Sequence, residues 1–207
     1  MKILPQIRFA GFGLSLLLAA CSAPEQKPNT GSPSASWRIS PQAAGPLRLG
    51  MTAVEAAAAL GSSYRVTNPL AQPFVIIDAQ FVVWDGAGEK LMEFLMTDAL
   101  QPSRPGNTIG TIMARSPRLA TAEGVAPGMT IKAAAAIYGA AMLRKSAEEG
   151  FGGEWVSFAR APSGLRFSVS GPGGGQAGLY EPSTFQSANH VEGAVIHAIE
   201  IGRPFLN

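Results

Sequence analysis

Apolar and polar positions alternate along most of this chain, and two short runs interrupt the alternation with alanine-rich, helix-favouring sequence. The first runs from Gly50-Met51-Thr52 to Leu60-Gly61, and the second from Gly128-Met129-Thr130 to Tyr138-Gly139, starting 78 residues later. Gly, Met, Thr, three alanines and the closing Gly coincide without a gap, which marks an internal repeat. In the first run Thr52 stands three residues before Glu55, the spacing of a reciprocal capping box. Four alanines follow, with the highest helix propensity, and Gly61 supplies a stop. In the second run Thr130 can still cap, but Ala133 stands where the first has Glu55. This predicts a helix over about 131–140, extending toward Leu143 and ended by Gly139. Helices of two or three turns are unstable alone, so both must dock on something flat through their small side chains.

The remaining pattern predicts strands. Residues 64–67 form a short one. Residues 74–84, after a loop bracketed by Pro69 and Pro73, read as a strand buried on both faces, and Asp85-Gly86-Ala87-Gly88 as a hairpin turn. In 90–97, Met92, Phe94 and Met96 share a face; in 108–114, Ile109, Thr111 and Met113 share one. The second half offers a polar loop over 145–153, a strand over 154–160, a turn at Pro162-Ser163-Gly164 and a strand carrying Leu165, Phe167 and Val169. A Gly/Pro-rich loop over 171–189 precedes a last strand over 191–201, with Val195, His197, Ile199 and Ile201 on one face. The expected fold class is α+β: a tandem repeat, about 45–120 and 121–205, of a helix plus three or four antiparallel strands. Both helices would pack on one face of the sheet, leaving the other as a binding surface.

The N-terminus changes the picture. Lys2 and Arg8 precede a 12-residue apolar run over 9–20, well short of the roughly 20 residues a spanning helix needs, so residues 1–20 read as an export signal. Leu18-Ala19-Ala20-Cys21 resembles a bacterial lipobox, which implies a thioether-linked diacylglyceryl group on Cys21 and cleavage ahead of it. Ser22, rather than Asp, resembles the pattern sorted to the outer membrane. Residues 21–37 form a polar, Pro/Ser-rich flexible linker, and 38–205 a single domain long enough for one core. Cys21 is the only cysteine, so no disulfide is expected. Removing the signal takes two cations from 16 Lys+Arg set against 14 Asp+Glu and leaves a balanced chain; nothing points to nucleic acid. The expected partners are the membrane, through Cys21, and another envelope protein.

Candidate chemistry is sparse. His190 and Glu192 share a strand face while His197 lies on the other, so no set of three or four metal ligands converges. No Gly-x-Ser-x-Gly elbow occurs. Gly173, Gly175 and Gly178 match a dinucleotide-type glycine string, but Pro182 forbids the helix that must follow it. Asp78, Asp85, Glu89 and Glu93 are scattered carboxylates, which leaves paired-carboxylate hydrolysis open. No cofactor is expected, and the aromatic and methionine content reads mainly as core.

The stretch 108–117, then 121–125, then Gly128-Met129-Thr130 and Tyr138-Gly139 resembles a small family of enterobacterial outer-membrane lipoproteins under the envelope-stress sigma factor, of unknown molecular function. The layout is also similar to secreted β-lactamase inhibitor proteins and, more loosely, to the small lipoprotein of the outer-membrane protein assembly machine. The resemblance supplies no catalytic residues. It implies a non-enzymatic, periplasm-facing outer-membrane lipoprotein that serves interaction or envelope maintenance. A carrier or sensor of a small apolar or lipid ligand is the alternative, and a cell-wall hydrolase the weaker one.

Overall fold

The computed structural model describes residues 37–67, 80–98, 104–146 and 153–202. The expected export signal, Cys21, the linker up to residue 36, Pro69, Pro73, Asp78 and the first part of the expected 74–84 strand lie outside the described residues. The chain enters through three short strands, β1 (Arg38–Ser40), β2 (Ala43–Ala44) and β3 (Leu47–Arg48), whose Ile39, Ala44 and Leu47 are buried. Helix α1 (Ala53–Leu60) leads to β4 (Arg65–Thr67), β5 (Gln80–Trp84), β6 (Lys90–Met96), β7 (Ile109–Ala114) and β8 (Ala120–Thr121). Helix α2 (Ile131–Tyr138) precedes β9 (Ala141–Lys145), β10 (Glu154–Phe158), β11 (Leu165–Ser170), β12 (Gln186–Ser187) and β13 (Val195–Gly202). One sheet has nine strands in the order β12-β9-β10-β11-β13-β7-β6-β5-β4; the other has four, β3-β2-β1-β8. All described residues fall within one compact unit.

This architecture corrects the expected fold class. Among the described residues the molecule is mostly β, 42% strand against 14% helix, with two helices and two sheets, and it does not fit a repeat of helix plus strands. The helices have eight residues each, so the sheets supply most of the core. The four-stranded sheet was not expected. It joins the entry segment to β8 through a parallel pairing of Arg38 with Ala120 and Ile39 with Thr121, and the boundary expected at residues 120 and 121 falls inside β8. The second helix is also shorter than its sequence suggests. It ends at Tyr138, and residues 141–145, expected as helix tail and loop, form β9. Gly139 explains the stop: its φ of 82° leaves the helical region and redirects the chain into the sheet.

The two helix entries are built alike. Gly50 N–H donates to Ile109 O at 2.9 Å, and Ile109 N–H to Met51 O at 2.7 Å. Gly128 N–H donates to Ile196 O at 2.7 Å, and Ile196 N–H to Met129 O at 2.9 Å. Each entry glycine has positive φ, 84° and 87°, the left-handed region that favours glycine. Each segment is thereby stitched to a central strand, and that stitch holds a helix too short to persist alone.

One face of the large sheet is the core. Across it Val83, Met92, Ala114, Ile199, Phe167, Val156 and Leu143 form a single transverse row, all buried. Leu60 and Ala56 of α1 and Ile131, Ala134 and Tyr138 of α2 belong to the same cluster. Tyr138 packs its ring 5.9 Å from Phe167; its hydroxyl donates to Glu123 Oε2 and is hydrogen-bonded to the Thr121 hydroxyl, both at 2.7 Å. Burial and the Glu123 carboxylate push its ionisation up to about 12. Of the three register shifts in the large sheet, one between Val83 and Trp84 puts Lys90 on the face of Trp84, and two alter the expected faces. A register shift between Leu95 and Met96, opposite Gly110, puts Ile109 on the core face with Ile112 and Ala114. A second, between Ser168 and Val169, moves His197 off the core face that Ile199 and Ile201 share.

Candidate functional site

The expected 171–189 loop is a folded element at the β12 end of the sheet. Gly171 and Gly175 close a tight turn, Gly171 N–H to Gly175 O at 2.7 Å, around the 3-10 segment Pro172–Gly174. A Cβ on Gly171 would stand 2.3 Å from Gln176 O, so no larger residue fits that turn. Two limbs then pair: Leu179 N–H donates to Asn189 O at 2.9 Å, Val191 N–H to Ala177 O at 2.8 Å, and Gly178 bridges His190. The loop is fastened to the sheet by Glu154 of β10. Its Oε1 accepts from Gly178 N–H at 2.9 Å, and its Oε2 accepts from Ala177 N–H. A carboxylate accepting two backbone amides is a charge-assisted clamp. The returning limb forms β12, which covers β9 with Gln186 opposite Arg144 and Ser187 opposite Leu143.

This construction leaves an open, mainly polar cleft of about 580 Å³, lined by Gln176, Leu179, Tyr180, Glu181, Ala188, Asn189 and His190. Beside it, Lys145 Nζ sits 4.6 Å from the Tyr180 ring centre and 5.9 Å from that of Phe185, within cation–π range. The Tyr180 hydroxyl is buried without a hydrogen-bond partner among the described residues. Burial and the nearby Glu154 charge push its ionisation well above the ordinary tyrosine value. Leu179 and Phe185 project outward, 55% and 48% exposed. The loop thus presents two exposed apolar side chains, with Phe185 beside the Lys145 cation of β9, an arrangement that can seat a partner.

The second face of the large sheet is charged. Glu93 of β6 is buried there, 2.9 Å from Lys90 and 3.0 Å from Arg115. Burial alone would raise its pKa, but the hydrogen bond from Lys90 and the Arg115 guanidinium hold it below the ordinary value. Glu200 accepts from Ser168 Oγ, and Arg166 stacks 4.1 Å over the Trp155 ring. Trp84 lies beneath Arg65 at 5.3 Å and Lys90 at 5.7 Å and donates to Thr67 Oγ1 at 2.9 Å. Crowding by its neighbours, then the Arg115 charge, holds the His197 imidazole below the ordinary histidine value.

The residues singled out from sequence divide by role. Gly50, Met51, Thr52 and Gly61, and Gly128, Met129, Thr130 and Gly139, form the entries and exits of α1 and α2 and line neither the cleft nor the charged face. Cys21 lies outside the described residues. His190 lines the cleft, with Nδ1 3.1 Å from Val191 O, whereas His197 is on β13. Among the described residues no three His, Cys, Asp or Glu side chains come together as a metal site would require. The glycine string belongs to the turn and limb of the loop, with no helix after it. Sequence reasoning passed over Glu154, Lys145, Tyr180 and Phe185; a carboxylate in a strand facing a glycine-rich loop is the one local hint of the clamp. Compared with known protein families, with curated proteins and with solved structures, the chain matches none.

Proposed function

We propose that this chain is a non-enzymatic envelope lipoprotein, tethered to the outer membrane through Cys21, whose 171–190 loop docks on another envelope protein. The observation that carries the reading is the exposed pair Leu179 and Phe185 on a loop clamped by Glu154, with the Lys145 cation of β9 against the Tyr180 and Phe185 rings. Preorganised apolar anchors with a desolvated neighbour are what interface hot spots use. The resemblance to a lipobox and the polar linker support a periplasmic position for that loop, and the resemblance to stress-regulated outer-membrane lipoproteins supports such a role.

The test is site-specific photocrosslinking in intact cells. A crosslinker at position 185 is expected to give one discrete adduct with another envelope protein. The adduct should disappear with Leu179→Ala, while a crosslinker at Val54, which is 80% exposed on α1, should give none. Absence of an adduct from position 185, or equal adducts from both positions, would overturn the assignment of the surface.

A further inference from the structure

We propose that the second face of the nine-stranded sheet is a docking surface for the anionic phospholipid membrane. The charge distribution carries the inference. Strand pairing places Arg65, Lys90, Arg144 and Arg166 on this face, and Arg115 joins them through its bond to Glu93. The carboxylates opposing these five cations on the described strands are Glu93 and Glu200. The chain without its expected signal is balanced overall, so the basic excess is a property of one face. It has the sign complementary to a leaflet containing phosphatidylglycerol.

The side chains beneath the cations favour a lipid surface over a soluble polyanion. Trp84 and Trp155 are both on this face, half-buried, each with a cation over its ring. Met142, 38% exposed, stands two residues from Arg144 on β9. Tryptophan with snorkelling Arg or Lys is the residue set of a membrane–water interface. Lys145 and Glu154 have the opposite strand parity from Arg144 and Trp155. The 171–190 loop is therefore fastened from the other side of the sheet and stays accessible when this face is covered. The tether belongs to the lipoprotein reading: Trp37 is 16 positions after Cys21, a span of at most about 58 Å, which keeps the face near the leaflet.

Residues 22–207, which hold the whole described fold and its core without the acyl group, should bind phosphatidylethanolamine vesicles containing phosphatidylglycerol. Binding is expected at least about tenfold tighter than to neutral phosphatidylcholine vesicles at roughly 0.1 M salt, and should be lost near 1 M. The double variant Arg65→Glu/Arg144→Glu should abolish this preference. It changes exposed side chains at both ends, so the result does not depend on which end of the twisted sheet meets the surface. The control Arg48→Glu/Lys132→Glu makes the same change in net charge on exposed residues of β3 and α2 and should bind like the unaltered chain. Circular dichroism of both variants establishes that they are folded. No preference for anionic vesicles, or equal loss in the control, would overturn the proposal. Neither result would touch the anchoring reading, which the fate of Cys21→Ser decides separately.

Discussion

Glu93 shows what a single residue contributes here and how little of it a local reading finds. From the sequence it is one of several scattered carboxylates; in the fold it is 3% exposed between Lys90 and Arg115. The Arg115 partner comes from 22 residues away, so only strand pairing brings the group together. Thr52 and Glu55 were legible because their bonds close within three residues: Thr52 N–H to Glu55 Oε2 at 2.8 Å and Glu55 N–H to Thr52 Oγ1 at 3.3 Å. Glu154 was not, because the amides it holds lie 23 and 24 residues on. Glu93 yields a pH prediction with a definite sign. Its folded pKa is depressed below 4.5, so the unfolded chain binds more protons in the interval between the two values. The stabilisation is complete above the unfolded value and is lost as pH falls through the lower, folded one. Glu93→Gln should therefore cost about 1–3 kcal/mol near neutral pH, because two partly exposed cations lose their counter-charge. That difference from the unaltered protein should shrink in urea melts below the folded pKa of Glu93. An equal difference at both pH values would mean that the carboxylate's charge is not what the site uses.

Elements were legible where their signals are local and misread where the sheet decides. Both helix starts and both glycine stops follow from capping and propensity, yet the sequence over 139–145 suited a helix tail as well as a strand. Pairing with β10 over residues 141–145 decides it, a tertiary choice that propensity cannot see. The two register shifts that alter faces are invisible for the same reason: strict alternation assigned Ile109 and His197 to the wrong faces. The four-stranded sheet escaped because strands of two or three residues carry almost no periodic signal. The two helix starts also differ in a testable way. α1 has the complete box, whereas α2 has only Ala133 N–H donating to Thr130 Oγ1 at 3.2 Å. Ala133 is exposed. Ala133→Glu should complete the second box and place a negative charge in the first turn of α2, stabilising the protein by about 0.5–1 kcal/mol. A rise in the urea midpoint at unchanged m-value is the expected readout. No change would show that the Thr130 amide is already satisfied elsewhere.

For the molecule as a whole, the sequence made the location argument and the fold supplied the surfaces. The α+β repeat expectation overweighted two conspicuous helices; the strands, individually weaker signals, set the class once they joined into one nine-stranded sheet. The candidate site was legible only as a loop range, since its clamp, its cation and its aromatic neighbours come from β9, β10 and the returning limb. At this scale membrane association has two proposed components, a lipid at Cys21 and a basic face. A diacylglyceryl group supplies two acyl chains, enough for stable anchoring, and the basic face adds an electrostatic contribution. The two differ in their response to salt. Hydrocarbon burial is insensitive to screening, whereas a basic face loses its hold when the Debye length falls to about 3 Å near 1 M salt. The native lipoprotein should therefore stay in the outer-membrane fraction through a 1 M salt wash. Cys21→Ser should fold, as judged by protease resistance of the domain, but be absent from that fraction after the same wash. If Cys21→Ser remains in the outer membrane at 1 M salt, the anchor is not at Cys21, and the lipobox loses its meaning for this chain. If the native protein itself washes off, the lipid is absent and only the basic face is left to hold the domain there.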